Sequence, residues 1–317
     1  MNFFTHINIS PSPQKIDYQS KIISFGSCFS ENIGKKLQRA YFQIDINPFG
    51  ILFNPASIAQ NIEMLIENRK FDKNDLTTNG SLYFNFAFDT SFSAVCPEQC
   101  LEKINMRFTK AVKNLQNADF MFITFGTAWI FELKSTGEIV ANCHKLPAEN
   151  FTRRRLSVDE IVFIFKKIFL KLKIFNPNLH IVLTVSPVRH AKDGFHENNL
   201  SKSILLLAAE KLEKEFENVS YFPAYEIVMD ELRDYRFCAA DMLHPNESAI
   251  DYVWEKFSDT FFSLETKKIV SLAHKVAADE EHRAMFEESA EYANFLKIKE
   301  KRKEELLLKI KEIQTKK

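Results

Sequence analysis

The chain has 317 residues, of which 45% are hydrophobic and 26% charged, so it can form a large core and is not generally disordered. Lysine plus arginine and aspartate plus glutamate each number 42, which argues against bulk attraction to nucleic acid or to acidic membranes. No run of about 18 apolar residues predicts a membrane span. Residues 1–14 lack the basic and apolar regions of a secretory signal, so we expect a cytoplasmic protein.

Short apolar runs alternate with helical patterns along most of the chain. Strands are predicted at residues 21–25, 118–125, 179–186 and 219–223. Helices are predicted at residues 30–41, 55–69, 98–116, 157–175, 199–217 and 246–262. Buried strands separated by helices of this length are typical of parallel βαβ units. The pattern predicts an α/β fold, a three-layer α/β/α sandwich with a mostly parallel sheet, which binds ligands at the carboxyl ends of its strands.

The last part of the chain has a different pattern. From residue 265 onward there is no strand pattern, no glycine and no proline, and the final stretch is rich in lysine. We expect three regions: an N-terminal arm at 1–20, the α/β domain at 21–262 and a charged helical extension at 263–317. The extension is interpreted as a long helix with a solvated, frayed end, or as a helix that packs on a partner subunit and so makes a homo-oligomer.

The first predicted strand runs directly into Gly26, Ser27 and Cys28, and a helix follows. A strand, a glycine, a nucleophile-capable side chain and a helix are the layout of an exposed nucleophile on a tight turn. Backbone N–H groups at the start of the helix favour negative charge, which lowers a thiol pKa toward neutral. The alternative is that Cys28 is a small buried hydrophobic residue, the commonest environment of a free cysteine.

A second motif lies in a loop before the last predicted helix of the domain, where Asp241 precedes His244 by three residues. At this spacing the carboxylate can accept the imidazole Nδ1–H, which fixes the tautomer and leaves Nε2 free as a base. An isolated motif of this kind is a weak signal. Together with a nucleophile turn after the first strand it becomes a candidate catalytic pair.

Several motifs in this order resemble a known family. The stretch FGSCFSENIG is similar to the signature of the GSCFA-domain proteins of bacteria. The resemblance continues through NPFGILFNPA, TFGTAW, ANCHKLP, TVSPVRH, YFPAYE, DELRDYRF and DMLHP. The family in turn resembles a branch of the SGNH, or GDSL, hydrolases. Those are flavodoxin-like α/β/α proteins that cleave or transfer acyl groups with a Ser–His pair, often supported by an Asp.

The resemblance implies roles for particular residues. Cys28 takes the nucleophile's place and Ser27 stands where the superfamily has Asp, while Asp241 and His244 match its D-x-x-H motif. This implies that Cys28, or alternatively Ser27, attacks an acyl carbonyl, that His244 transfers the proton and that Asp241 orients His244.

The oxyanion hole of the superfamily uses the nucleophile's own N–H, a glycine N–H after the second strand and an Asn side chain after the third. Gly50 is the candidate glycine, but this chain lacks the Asn. Thr127 or Asn142 would have to replace it. Loss of one such donor costs about 10²–10³ in rate, so this departure also favours a module that binds a glycan or acyl ligand without catalysis.

Arg189 and His190 follow the third long predicted strand. Arg189 can hold a substrate carboxylate or phosphate in a bidentate manner, or it can form a structural ion pair. His190 is the rival of His244 as the base, although it has no Asp at a comparable spacing before it.

The sequence predicts no cofactor and no metal. It contains neither G-x-x-x-x-G-K-[ST] nor G-x-G-x-x-G, and its histidines and five cysteines form no metal-ligand grouping. We expect an ester hydrolase or acyltransferase that acts on a small-molecule or carbohydrate acyl ester. The alternatives are the non-catalytic binding module and a redox role for Cys28.

Overall fold

The computed structural model describes residues 5–282, 285–286 and 288–315. The first four residues of the predicted arm and the last two of the predicted extension lie outside this range. The strands are β1 Lys21–Gly26, β2 Gln43–Ile46, β3 Thr77–Thr78, β4 Tyr83–Phe84, β5 Phe120–Phe125, β6 Trp129–Leu133, β7 Ile139–Val140, β8 Phe151–Arg155, β9 His180–Val185 and β10 Val219–Tyr221. The helices are α1 Cys28–Arg39, α2 Pro55–Ile66, α3 Pro97–Gln116, α4 Val158–Phe175, α5 Phe195–Glu215, α6 Ala224–Glu226, α7 Glu247–Phe261, α8 Leu264–Glu281 and α9 Ala290–Thr315.

Five strands form one parallel sheet in the order β10-β9-β5-β1-β2. If only these five strands are numbered 1 to 5 along the chain, their order in the sheet is 5-4-3-1-2, which is the flavodoxin-like arrangement. The strand order reverses between β1 and β5, and ligands bind at such a reversal, beyond the carboxyl ends of the strands. The residues that follow β1 and β5 therefore occupy the expected site of the fold.

The two faces of the sheet bury separate cores. Ile23, Phe25 and Ile123 point to the face covered by α2, α3, α4 and α5. Phe122 and Val182 point to the opposite face, which packs against α1, α7, α8 and α9. Successive residues of a strand point to opposite faces, and helices cover both faces of this sheet. The strands are therefore apolar along most of their length. The predicted three-layer α/β/α sandwich is confirmed.

Several short elements were not predicted from the sequence. β2 has only four residues, QIDI, and two of them are polar, so it has no continuous apolar run. β3 and β4 form a two-stranded sheet, and β7, β6 and β8 form a three-stranded antiparallel sheet, both in segments that connect the main elements. Each of these strands has at most five residues and at most one buried residue, which weakens its sequence signal.

The C-terminal extension is two helices, α8 and α9, rather than one long helix, and a frayed end stays a prediction. Leu306, Ile310 and Ile313 of α9 are buried at helical spacing against the rest of the chain. The Ile313 carbonyl accepts a hydrogen bond from the side chain of Gln19, and Arg302 pairs with Asp279 of α8. The chain's own arm and α8 cover the apolar stripe of α9. A homo-oligomer through this helix stays a prediction.

The arm lies against the domain. The N–H groups of Ser12 and Ile16 donate to the carbonyls of Thr260 and Phe261, both at 2.9 Å. Tyr18 is fully buried and stacks on Phe42. No helix in the described part of the chain is long and apolar enough to cross a membrane.

Candidate active site at the carboxyl ends of the strands

The turn after β1 places the two nucleophile candidates, Ser27 and Cys28, in different environments. Ser27 is the N-cap of α1: its Oγ accepts the Phe29 N–H at 3.3 Å, and it is 1% exposed. Cys28 is the first residue of α1 and is only partly buried. Gly26 has φ of +142°, and a Cβ there would lie 2.4 Å from the Thr124 carbonyl oxygen, so only glycine permits this turn. The geometry thus gives Ser27 a structural task and leaves the Cys28 thiol closer to solvent.

The protonation state of Cys28 differs from the sequence expectation. Burial raises the pKa of the thiol, and the charge of Glu31 acts in the same direction. The N–H groups of Phe29 and of Cys28 itself lower it, as does the charge of Lys202, but their combined effect is smaller. The expectation that the helix start lowers this pKa toward neutral is wrong, because desolvation outweighs the backbone donors.

His244 and Asp241 lie together in the loop before α7. The Nδ1–H of His244 donates to Asp241 Oδ2 at 2.6 Å. The other carboxylate oxygen accepts the N–H groups of Leu243 and His244 at 2.9 and 3.0 Å. These backbone donors, followed by the imidazole, lower the pKa of Asp241 to about 2. The loop thus holds the carboxylate ionised and the imidazole in the tautomer whose Nε2 can accept a proton.

This loop lies at the sheet edge that also carries Cys28. The Arg189 N–H, just past β9, donates to the Leu243 carbonyl at 3.3 Å. β1 and β9 run parallel with β5 between them, so their carboxyl ends meet at one edge. The charges of His244 and His190 interact, as do those of His190 and Lys202 and those of Lys202 and Cys28. Across the described residues, no hydrogen bond joins Cys28 to His244.

Lys202 is a residue of this site that the sequence analysis missed. It is 1% exposed, and its Nζ donates to the carbonyls of Gly126 and Ser186, both at 2.6 Å. Burial lowers its pKa to about 7, while the charge of Cys28 acts to raise it. A sequence signal existed, since Lys202 shares the buried face of α5 with Leu205 and Ala209, where an apolar residue is expected.

The rival base and its neighbour are less accessible than His244. The Nε2 of His190 and the Nε of Arg189 are both buried without a hydrogen-bond partner. Burial, followed by the charge of Lys202, lowers the pKa of His190 to about 4, so this imidazole is neutral at physiological pH. The guanidinium of Arg189 lies over the ring of Phe195 at 4.4 Å.

The predicted oxyanion donors differ in how they are engaged, and the N–H of Gly50 already has a partner. The Gly50 N–H donates to the Asn47 carbonyl at 2.8 Å, and a Cβ at Gly50 would lie 2.0 Å from the Asp89 carboxylate, so this glycine serves a tight turn. The Thr127 hydroxyl lies 3.2 Å from Ser201 Oγ and accepts the N–H of Trp129.

Asn142 also has a local role, since its Oδ1 accepts the His144 N–H at 2.8 Å. By contrast, both amide atoms of the Asn47 side chain, just past β2, are buried without a partner. The Cys28 N–H is the donor that lies at the nucleophile itself.

An open cavity of about 590 Å³ adjoins this cluster and suits a small ligand in size. Its lining includes Arg189, Lys202, Tyr225, Arg233, Tyr235 and Phe237. Aromatic rings and charged groups together can contact both the apolar and the polar surface of a ligand. Within the described residues, no group of three His, Cys, Asp or Glu side chains is arranged to hold a metal ion.

Comparison with known proteins identifies the family. The sequence profile of the GSCFA family matches residues 21–257, so the family predicted from the motifs is confirmed. No curated protein matches this chain.

Solved structures of similar fold include three esterases. An acetyl esterase crystallised with acetate has 8% identity and a TM-score of 0.37, and the match covers 81% of this chain and 99% of that one. A carbohydrate esterase family 3 protein from Talaromyces cellulolyticus has 9% identity and a TM-score of 0.34, with 81% and 99% covered. An acetyl xylan esterase from the rumen bacterium Butyrivibrio proteoclasticus has 11% identity and a TM-score of 0.38, with 76% and 63% covered.

Proposed function

This chain belongs to the GSCFA family, and we propose that it is an acyl-chemistry enzyme that hydrolyses or transfers the acyl group of a small ester, with a carbohydrate ester as the substrate class. The observation that carries the proposal is the 2.6 Å hydrogen bond from His244 to Asp241, at the sheet edge where β1 delivers Cys28. A histidine with a fixed tautomer and a nearby thiol are the two groups that nucleophilic acyl transfer needs.

The chemistry proceeds in two steps. Cys28 sulfur attacks the acyl carbonyl carbon while His244 Nε2 takes the thiol proton and passes it to the oxygen of the leaving alcohol. The product is an acyl thioester on Cys28. Water or an acceptor hydroxyl then attacks the thioester, His244 takes its proton, and the Cys28 sulfur leaves and is reprotonated. Water gives hydrolysis and a sugar hydroxyl gives transfer. The Cys28 N–H donates to the carbonyl oxygen as it becomes negative.

His244 has to approach Cys28 to take its proton, because no hydrogen bond joins the two side chains in the described part of the chain. Catalytic hydrogen bonds are often long before substrate binds and tighten in the complex. The histidine side chain is 46% exposed, so its ring can rotate without disturbing the core. Ser27 stays the helix cap in this mechanism, and Asp241 keeps the imidazole oriented throughout.

The test is turnover of p-nitrophenyl acetate and of acetylated sugars by purified protein. Cys28→Ala is expected to lower kcat/KM by at least about 10³, because the covalent route is lost. The matched control is Cys96→Ala, which removes another partly buried thiol, at the start of α3. Equal turnover by wild-type protein and Cys28→Ala would overturn the proposal.

A second candidate, a module that binds a glycan or acyl ligand without turnover, is favoured by the engaged N–H of Gly50 and by the raised thiol pKa. Isothermal titration with acetylated sugars separates the two. Binding without turnover, unchanged in Cys28→Ala, supports the module, whereas turnover that depends on Cys28 supports the enzyme.

A further inference from the structure

Lys202 is an unusual residue for the centre of a protein layer. Its side chain is almost completely buried in α5, and no carboxylate pairs with it in the described part of the chain. Burial of an ammonium group without a counter-charge is costly, so an apolar side chain at this place would be more stable. A lysine retained here calls for a role other than stability.

The partners of Lys202 fix the place of its charge. Nζ donates to the carbonyls of Gly126 and Ser186, the residues directly after β5 and β9. An ammonium group has three N–H donors, so one stays available after these two bonds. β5 pairs directly with β1, so the Gly126 carbonyl lies one strand away from the turn that carries Cys28. Lys202 interacts electrostatically with Cys28 and with His190. A protonated His190 would repel the ammonium, so Cys28 is the one of the two that can carry an opposing charge.

We propose that the Lys202 ammonium is a positioning charge for the proposed function, which stabilises the anionic sulfur of Cys28 from beneath the strand ends. It acts through Cys28 rather than on the substrate. The inference rests on the proposed function only in taking Cys28 as the reactive group. The charge of Lys202 opposes the desolvation of the thiol and the negative charge of Glu31, which both favour its neutral form.

The two groups titrate together because each changes the other's charge. Below a pH of about 7 Lys202 is protonated and lowers the pKa of Cys28, and above it this help is progressively lost. Loss of one proton therefore makes loss of the second harder. Coupled groups of this kind give a broad titration curve instead of that of a single group.

The experiment measures the rate of Cys28 alkylation by iodoacetamide from pH 6 to 10, with the modified peptide quantified by mass spectrometry. Lys202→Met keeps the length of the side chain and removes its charge. The expected result is a single-group curve displaced to higher pH, with alkylation at neutral pH slower by about tenfold for each unit by which the thiol pKa rises. An unchanged rate and curve shape would overturn the inference.

The matched control is Lys211→Met, on the same helix. Lys211 is exposed and pairs with Asp159, so its loss removes a cation without touching the strand ends. Its alkylation curve should match that of the wild-type protein. If Lys211→Met produced the same displacement as Lys202→Met, net charge rather than position would be the cause, and the inference would be wrong.

A second measurement avoids any change in the core. In wild-type protein with ¹³C-labelled lysine, one lysine Cε resonance should titrate close to neutral pH, and Cys28→Ser should move its midpoint to lower pH because the thiolate partner is gone. If Cys28→Ser leaves the midpoint in place, the inference fails even should Lys202→Met prove unfolded.

The two proposals can fail separately. If Cys28→Ala abolishes turnover but Lys202→Met leaves the alkylation curve unchanged, the proposed function stands and the role of Lys202 is wrong. If no ester is turned over but Lys202→Met displaces the curve, the coupling of Lys202 to Cys28 stands and the enzymatic proposal is wrong.

Discussion

The two edges of the central sheet, at the amino and at the carboxyl ends of its strands, differ in the hydrogen bonding of their polar groups. At the edge formed by the amino ends of the strands, these groups have partners. His180 Nε2 lies 3.0 Å from Ser220 Oγ, and the Asn218 amide donates to the Leu179 carbonyl at 2.9 Å. The Lys21 N–H donates to the Asp119 carboxylate at 2.7 Å. This edge has the hydrogen bonding that a stable fold requires.

At the carboxyl ends of the strands, polar groups are buried without partners. They include His190 Nε2, Arg189 Nε and both amide atoms of Asn47, and the buried ammonium of Lys202 lies beside them. The larger cavity, of about 750 Å³, nevertheless opens at the amino-end edge, against about 590 Å³ beside Lys202. Unsatisfied polar groups, rather than cavity size, therefore distinguish the edge at which we propose the active site.

The largest effect expected at that edge concerns its two histidines. His244→Gln should lower kcat/KM for ester turnover by about 10²–10⁴, because general acid–base catalysis contributes that much. His190→Leu should have a smaller effect, since the ring is buried and its pKa is lowered to about 4. Steady-state kinetics on both variants check this. The reverse order of effects would make His190 the base and assign His244 a structural role.

A second comparison concerns stability in the C-terminal extension, which packs on the domain outside the sheet. A buried and an exposed leucine of α9 should contribute differently to the free energy of unfolding. Leu306 is fully buried, so Leu306→Ala should lower the free energy of unfolding by about 2–5 kcal/mol. Leu308 on the same helix is 58% exposed, and Leu308→Ala should change it by less than about 0.5 kcal/mol. Urea denaturation measures both. Equal, small effects would mean that α9 does not pack on the domain in solution.

The smallest expected effect is a difference in stability between variants of two histidines, one from each edge of the sheet. His180→Leu loses its bond to Ser220 and should lower stability by about 0.5–1.5 kcal/mol at pH 7. His190→Leu loses no hydrogen bond at Nε2 and should be neutral or stabilising.

The pH dependence of His190→Leu follows from the lowered pKa. Between a pH of about 6.5 and about 4 the unfolded chain binds more protons at His190 than the folded chain does, so wild-type stability falls as the pH falls. The advantage of His190→Leu should grow over this range, by at most about 1.4 kcal/mol per pH unit. Urea denaturation at pH 7 and pH 5 checks both variants. A large loss for His190→Leu at pH 7 would show that its ring is a structural element.

The sequence predicted the main strands, the helices between them and the family, because long apolar runs and their alternation are strong signals. The predicted helix at residues 157–175 is present as α4, and a capping box formed by Ser157 and Glu160 starts it. β2 was missed, since four residues with alternating polarity resemble many loops.

The candidate site could be predicted from the sequence only in part, for a physical reason. Cys28, Asp241 and His244 lie in short motifs, so local spacing indicates their chemistry. Lys202 is one of many lysines on helices, and only the sheet shows that its charge lies among backbone carbonyls. The thiol pKa could not be predicted either, because burial by distant residues outweighs the local helix start.

The most direct test of the account is to trap the acyl group on the protein. Wild-type chain is mixed with p-nitrophenyl acetate, quenched in acid and analysed by peptide mass spectrometry. The account predicts one acetyl group on the peptide that contains Cys28, labile to hydroxylamine as a thioester is, and a much slower appearance of it in His244→Gln. Acetylation of Ser27 instead, or of Cys28 at the same rate in both proteins, would contradict the pairing of Cys28 with His244.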